Sequence, residues 1–245
     1  MVVARPGQTA VPRDIGFFEW FFDADTWTGN GGIIESLIDT VVLCAAATAV
    51  AALIAVPIAA VLAHYRKAQV ASTWLVSLSR AVPTFAIAAL LVPWSLRRGW
   101  GFERWPIFIA LFLVAVVPIY LNSYVAIRLV PEGSVDAARA LGYGESSVLG
   151  RIEFAMGASL ILAGIRVAAI QVVATEPIRA FLGGDGLGRY VRDGFGQNNT
   201  TLVVGGIILI GGLAAITGLL FVLLERLVLP TGVRRLVRQQ GERQP

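Results

Sequence analysis

A single cysteine and a single histidine stand in a chain of 245 residues. Cys44 therefore excludes an internal disulfide and a cysteine metal site. His64 on its own excludes a histidine-cluster metal centre, and its plain reading is a polar residue closing a helix. Charge is scarce too. Asp, Glu, Lys and Arg make up 15% of the residues, where a water-soluble domain carries about a quarter. The deficit is concentrated in long runs almost free of charge. That excludes a large water-soluble core and points to a bilayer as solvent. No span carries paired catalytic carboxylates, and no nucleophile motif is present, which argues against a membrane enzyme. No G-x-x-x-x-G-K-S/T phosphate loop occurs, so the chain is not expected to hydrolyse ATP by itself, and no cofactor or metal is expected in it. The net charge of +4 is spread along the sequence, so it suits anionic lipid better than nucleic acid, which is not an expected partner.

What is present is apolar length. Hydrophobic residues make up 56% of the chain and mean hydropathy is +0.73. Five runs are long enough to cross about 30 Å of hydrocarbon as helices. They lie near 37–63, 70–93, 107–130, 156–173 and 202–224. Helices are the expectation because a spanning helix satisfies its own backbone hydrogen bonds. The fold class is thus an all-α, multi-pass protein of the cell membrane. Residues 1–32 form an N-terminal segment, 33–230 the transmembrane domain and 231–245 a basic tail with Arg234, Arg235 and Arg238. The first 31 residues do not resemble a cleaved signal peptide. Phe17, Phe18, Trp20, Phe21 and Phe22 instead predict a short interfacial helix with its rings at headgroup level. The segment from Trp94 to Trp105 is expected as a loop. Its tryptophans suit either an interfacial belt or a face toward a protein partner. An odd number of spans puts the termini on opposite sides, with the N-terminus outside if the tail is cytosolic.

One charged stretch, 131–155, interrupts the apolar pattern. Ser134 is a candidate N-cap of a short helix, and Asp136 would sit in its first turn. Ala137 and Ala138 would give a smooth packing face. Gly142 would stop the helix in the left-handed conformation. Gly144, Glu145 and Ser146 would begin a second helical piece. Two readings stand: a docking element, or an ordinary amphipathic surface loop. Arg80 and Arg166 fall inside apolar runs, where a charge is costly unless paired, hydrated or snorkelled. They are read either as ion-paired groups or as lining of a pathway.

Several segments together resemble one family. Asp136-Ala137-Ala138, then Gly142, then Ile152 resembles the cytosolic EAA loop of permease subunits of binding-protein-dependent ABC importers. Arg80-Ala81-Val82-Pro83-Thr84-Phe85-Ala86 is similar to the family's second core-helix segment. Pro118 to Tyr124, with Ile127 and Arg128, resembles the helix leading into the loop. Ile161-Leu162-Ala163-Gly164-Ile165-Arg166 resembles the segment after it. Gly183-Gly184-Asp185-Gly186-Leu187-Gly188 is similar to the family's glycine-rich segment. Order and spacing agree from about Ser36 to Asn199, and the nearest branch is that for glycine betaine, choline and related osmoprotectants. Departures are Asp136 in place of the usual Glu, Phe154-Ala155 in place of Leu-Pro, Arg80 in place of a polar neutral residue, and Glu176.

The resemblance implies a type I importer permease. Asp136, Ala137, Ala138, Arg139, Gly142 and Ile152 would dock separate ATPase subunits, which would hold the ATP. Arg80, Pro83, Arg166 and Glu176 would be pathway or intramembrane groups. Gly184, Gly186 and Gly188 would form an extracytoplasmic segment. A second permease chain and a solute-binding protein complete the implied set of partners. The solute would be an osmoprotectant such as glycine betaine, choline, carnitine or proline betaine, with methionine or another amino acid as the alternative.

Overall fold

The computed structural model describes residues 16–29, 31–67, 84–101 and 104–228. Arg80, Pro83 and the basic tail lie outside them, as does most of the expected second span. Every regular element among the described residues is helical. In chain order they are α1 (Phe17–Phe22), α2 (Ala24–Thr28), α3 (Ile33–His64), α4 (Thr84–Arg97), α5 (Arg104–Arg128), α6 (Glu132–Ala140) and α7 (Glu145–Ser147). A π-helical segment (Val148–Glu153) follows, then α8 (Phe154–Thr175), α9 (Ile178–Phe181), α10 (Gly188–Gln197) and α11 (Thr200–Val228).

Four stretches are long and apolar enough to cross a bilayer, ending at His64, Arg128, Phe181 and Leu227, and α4 is a shorter apolar helix. α3, α8 and α11 overrun the apolar runs at both ends, and α5 does so at its start. The loop expected from Trp94 to Trp105 is correspondingly shorter, since α4 continues to Arg97 and α5 starts at Arg104. Many large side chains on these helices are exposed, among them Leu53, Leu90, Ile207, Leu219, Leu220 and Leu227. In lipid such exposure carries no hydrophobic penalty.

The interior is built from small residues. The buried face of α3 carries Ala47, Ala51, Ala55 and Ala59, one every four residues, so they lie along one stripe. Against it pack Ile107, Ala110, Leu111, Ala115 and Ile119 of α5 and Ile161, Ala168 and Val172 of α8. On α8, an added Cβ at Gly157 would stand 3.1 Å from the Ala126 Cβ, and one at Gly164 3.1 Å from the Pro118 carbonyl oxygen. Glycine lets the two backbones approach closely, as at other helix crossings in lipid. Asn122 donates to the Pro118 carbonyl at 2.8 Å, holding its amide inside the crossing.

The aromatic N-terminal segment departs from the interfacial expectation. Trp20 is buried to 1% exposure, edge-on to Tyr190 of α10 at 5.7 Å. Gly205 of α11 makes the room, since a Cβ there would collide with the indole. Only Phe18 and Phe22 remain exposed as expected. Burial raises the Tyr190 phenol above its ordinary pKa.

Candidate functional site

The polar contacts between elements gather at two ends of the bundle. At one end, α3 and α5 finish and residues 131–155 begin. Pro131 is the residue before α6, and no side chain caps that helix. Ser134 is therefore not the N-cap. The fixed φ of proline has already set the chain for helix, and Ser134 donates its backbone N–H to the Pro131 carbonyl at 3.0 Å. Glu132, not Asp136, is the first-turn acid. The stop at Gly142 is as expected. Its φ is +86°. Its N–H reaches the Arg139 carbonyl at 2.9 Å, and that of Tyr143 reaches Ala138 at 3.1 Å. This pair of bonds is the Schellman arrangement.

Successive residues on α6 point in different directions, so Ala137 and Ala138 part company. Ala138 is buried with Val130, Val135 and Val148, and Ile152 packs against that cluster. Asp136, Ala137, Ala140 and Leu141 face outward, with Leu141 78% exposed. Arg139 lies 3.4 Å from Asp136 and donates two hydrogen bonds of 3.0 Å to Glu145. These bonds raise the guanidinium pKa further above its ordinary value. Past Glu145 the chain passes through the π segment into α8 without a break, the Phe154 N–H reaching the Leu149 carbonyl. No proline stands at position 155 to interrupt the helix there.

One residue in this region carried no functional reading in the sequence. His64, the last residue of α3, has a side chain 2% exposed. Its Nδ1 lies 2.7 Å from Glu153 and its Nε2 lies 2.9 Å from Glu145. Next to it, Arg66 pairs with Glu132 of α6.

The opposite end holds the glycine-rich segment. Glu176, directly after α8, is fully buried and forms a 2.8 Å ion pair with Arg179 of α9. The Arg179 Nη2 stands 3.9 Å from Asp39. Thr40 of α3 joins the segment to this pair. Its hydroxyl donates to Glu176 at 3.3 Å and accepts the Leu187 N–H at 3.0 Å. Gly186 has φ +92°, and a Cβ there would meet Arg179, Glu176 and Thr40 together. Gly188 closes onto the Pro177 backbone, and the Gly184 carbonyl accepts from Arg192 at 3.0 Å. Arg166, midway along α8, lies 3.5 Å from Glu225 of α11, which gives the ion-pair reading a partner. Trp94 and Trp100 meet edge to face at 5.1 Å and flank the Arg98 guanidinium, which lies 5.1 and 5.8 Å from their centroids.

Among the described residues, no group of three or more His, Cys, Asp or Glu side chains is arranged to hold a metal.

The family described as "Binding-protein-dependent transport system inner membrane component" matches residues 26–231. The choline transport system permease protein OpuBB of Bacillus subtilis (strain 168) is 27% identical over 209 residues, 85% of this chain and 94% of that protein. The carnitine transport permease protein OpuCD of Listeria monocytogenes is 31% identical over 186 residues, 76% of this chain and 81% of that one. Among solved structures, an inward-facing conformation of the MetNI methionine ABC transporter superposes with a TM-score of 0.68. It is 16% identical and covers 80% of this chain and 95% of that one.

Proposed function

This chain belongs to the family of inner membrane components of binding-protein-dependent transport systems, and from that membership we propose that it forms the translocation path for an osmoprotectant, driven by separate ATPase subunits. Quaternary ammonium solutes such as choline, glycine betaine, carnitine and proline betaine are the substrate class. The supporting relatives are choline and carnitine permeases matched over most of their length. The likeness to the methionine transporter, at 16% identity, supports the fold and not the solute.

The observation that carries the energy-coupling part is the form of the 131–155 loop. α6 is anchored by Val135 and Ala138 and turns Asp136, Ala137, Ala140 and Leu141 outward. Such a face, apolar apart from the one carboxylate of Asp136 and held on a firm base, suits a protein partner rather than water. We assign it to the ATPase subunit, which supplies the ATP chemistry this chain's sequence does not encode. A second permease chain would complete the path, and a solute-binding protein would deliver cargo at the glycine-rich end. Two copies of the loop moving with two ATPases would then switch the path between its two openings.

The test is uptake of radiolabelled choline by vesicles containing the permease with its ATPase and binding protein. Wild type should accumulate choline only with all partners and ATP. Asp136→Lys should keep the permease in the membrane yet lose ATPase co-purification and uptake. Unchanged uptake and co-purification in that variant would refute the docking assignment.

A further inference from the structure

We propose that His64 is a positioning residue that clasps the coupling loop to the end of α3, so that displacement of the loop moves α3. The inference rests on the reading of the loop as the ATPase docking element. Its basis is geometric. α3 ends at His64, and the imidazole is enclosed, with 2% of the side chain exposed. Its two ring nitrogens face two carboxylates on opposite sides, Glu153 at 2.7 Å and Glu145 at 2.9 Å.

Each carboxylate belongs to a different part of the loop. Glu153 is the last residue before α8 and is itself buried, at 6% exposure. Glu145 opens the second helical piece and is held by both hydrogen bonds from Arg139. Arg139 lies on α6, beside the outward-facing Asp136. A continuous polar chain thus runs from the docking face through Arg139, Glu145 and His64 into α3, and through Glu153 into α8. The other charged groups around it are Arg66, paired with Glu132, and Arg128, which lines the same recess of about 120 Å³.

The shape of the imidazole suits this clasp. Its two nitrogens sit on opposite edges of one rigid ring, so each faces a different carboxylate. Glutamine can donate toward one carboxylate only, and its carbonyl oxygen would face the other. Hydrogen bonds to a carboxylate are stronger than neutral ones. His64 is thereby fitted to transmit force in either direction.

The test uses the whole transporter, with ATPase and binding protein, and measures choline uptake per ATP hydrolysed together with ATPase co-purification. His64→Ala and His64→Gln should both retain the ATPase subunits while the uptake ratio falls about tenfold, the size of one lost charge-assisted contact. Glu145→Ala should behave alike, and the double variant His64→Ala/Glu145→Ala should be no worse than either single one, as expected for residues acting as one unit. A wild-type ratio in His64→Gln, full additivity in the double variant, or loss of the ATPase from every His64 variant would overturn the proposal. Wild-type complex that fails to take up choline counts against the solute reading alone. The same comparison then runs on ATP hydrolysis stimulated by the binding protein.

Discussion

Replacing Gly186 with alanine should damage the protein far more than the same change at Gly142. Both glycines have positive φ, +92° and +86°. An L-residue held there costs about 1–2 kcal/mol at either site. The surroundings differ. At Gly142 nothing lies within 4 Å of the added carbon. At Gly186 it would stand 2.8 Å from both the Glu176 Oε1 and the Thr40 hydroxyl, and against the Arg179 Nη2. Glu176 is fully buried and the Arg179 side chain only 3% exposed, so neither can swing into solvent. Parting a buried pair costs about 3–5 kcal/mol. The Gly142 variant should therefore lose about 1–2 kcal/mol and the Gly186 variant about 4 kcal/mol or more. In a chain of this size each kcal/mol shifts Tm by about 2–4 °C. Heating the detergent-solubilised protein and following its size-exclusion peak measures both. Gly142→Ala should melt a few degrees low, and Gly186→Ala should melt about 10 °C low or fail to accumulate. Equal shifts would refute the reasoning, because they would mean that the buried cluster yields freely.

Gly164→Leu should abolish the folded peak in the same assay, since even a Cβ would lie 2.5 Å from the Asn122 Cβ at the α5–α8 crossing. Gly133→Leu, with open space around it, should leave the peak intact. The purified permease alone should show no micromolar binding of choline or glycine betaine by calorimetric titration. Its one described tryptophan pair facing a cation already holds Arg98, and a quaternary ammonium would have to displace that guanidinium. A micromolar dissociation constant would disprove this.

The apolar spans were legible in the sequence because hydropathy over some twenty residues is a local property. The Gly142 stop was legible for the same reason, being written in one residue and its neighbours. The start of α6 was misplaced because Ser134 is the better side-chain cap, whereas Pro131 starts the helix through its ring geometry and needs no cap. Trp20 looked interfacial within a run of aromatics. What takes it inside is Gly205, which leaves a gap the size of an indole face in α11. His64 was read as a helix end, and it is one. Its partner Glu153 lies 89 residues away, and no local pattern reports a pairing at that distance. Glu176 stood out as unusual, yet its purpose required Thr40, 136 residues off.

Those two glutamates bracket α8. Glu153 immediately precedes the helix and Glu176 immediately follows it. Both are buried, and both grip α3: Glu153 through His64 and Glu176 through Thr40. The 22 residues of α8 span about 33 Å, a length matched by α3 between its two gripping residues. Between these ties α3 offers α8 its stripe of alanines, against which Ile161, Ala168 and Val172 pack, and small side chains let the two backbones approach closely. The polar ties at the two ends add to this packing. With both ends tied, α3 and α8 would shift as one body. Release of the His64 tie would free the loop end while the Thr40 tie still held the other. The pair would then hinge about Glu176 instead of translating, and load placed on α6 would reach α8 without reaching α3.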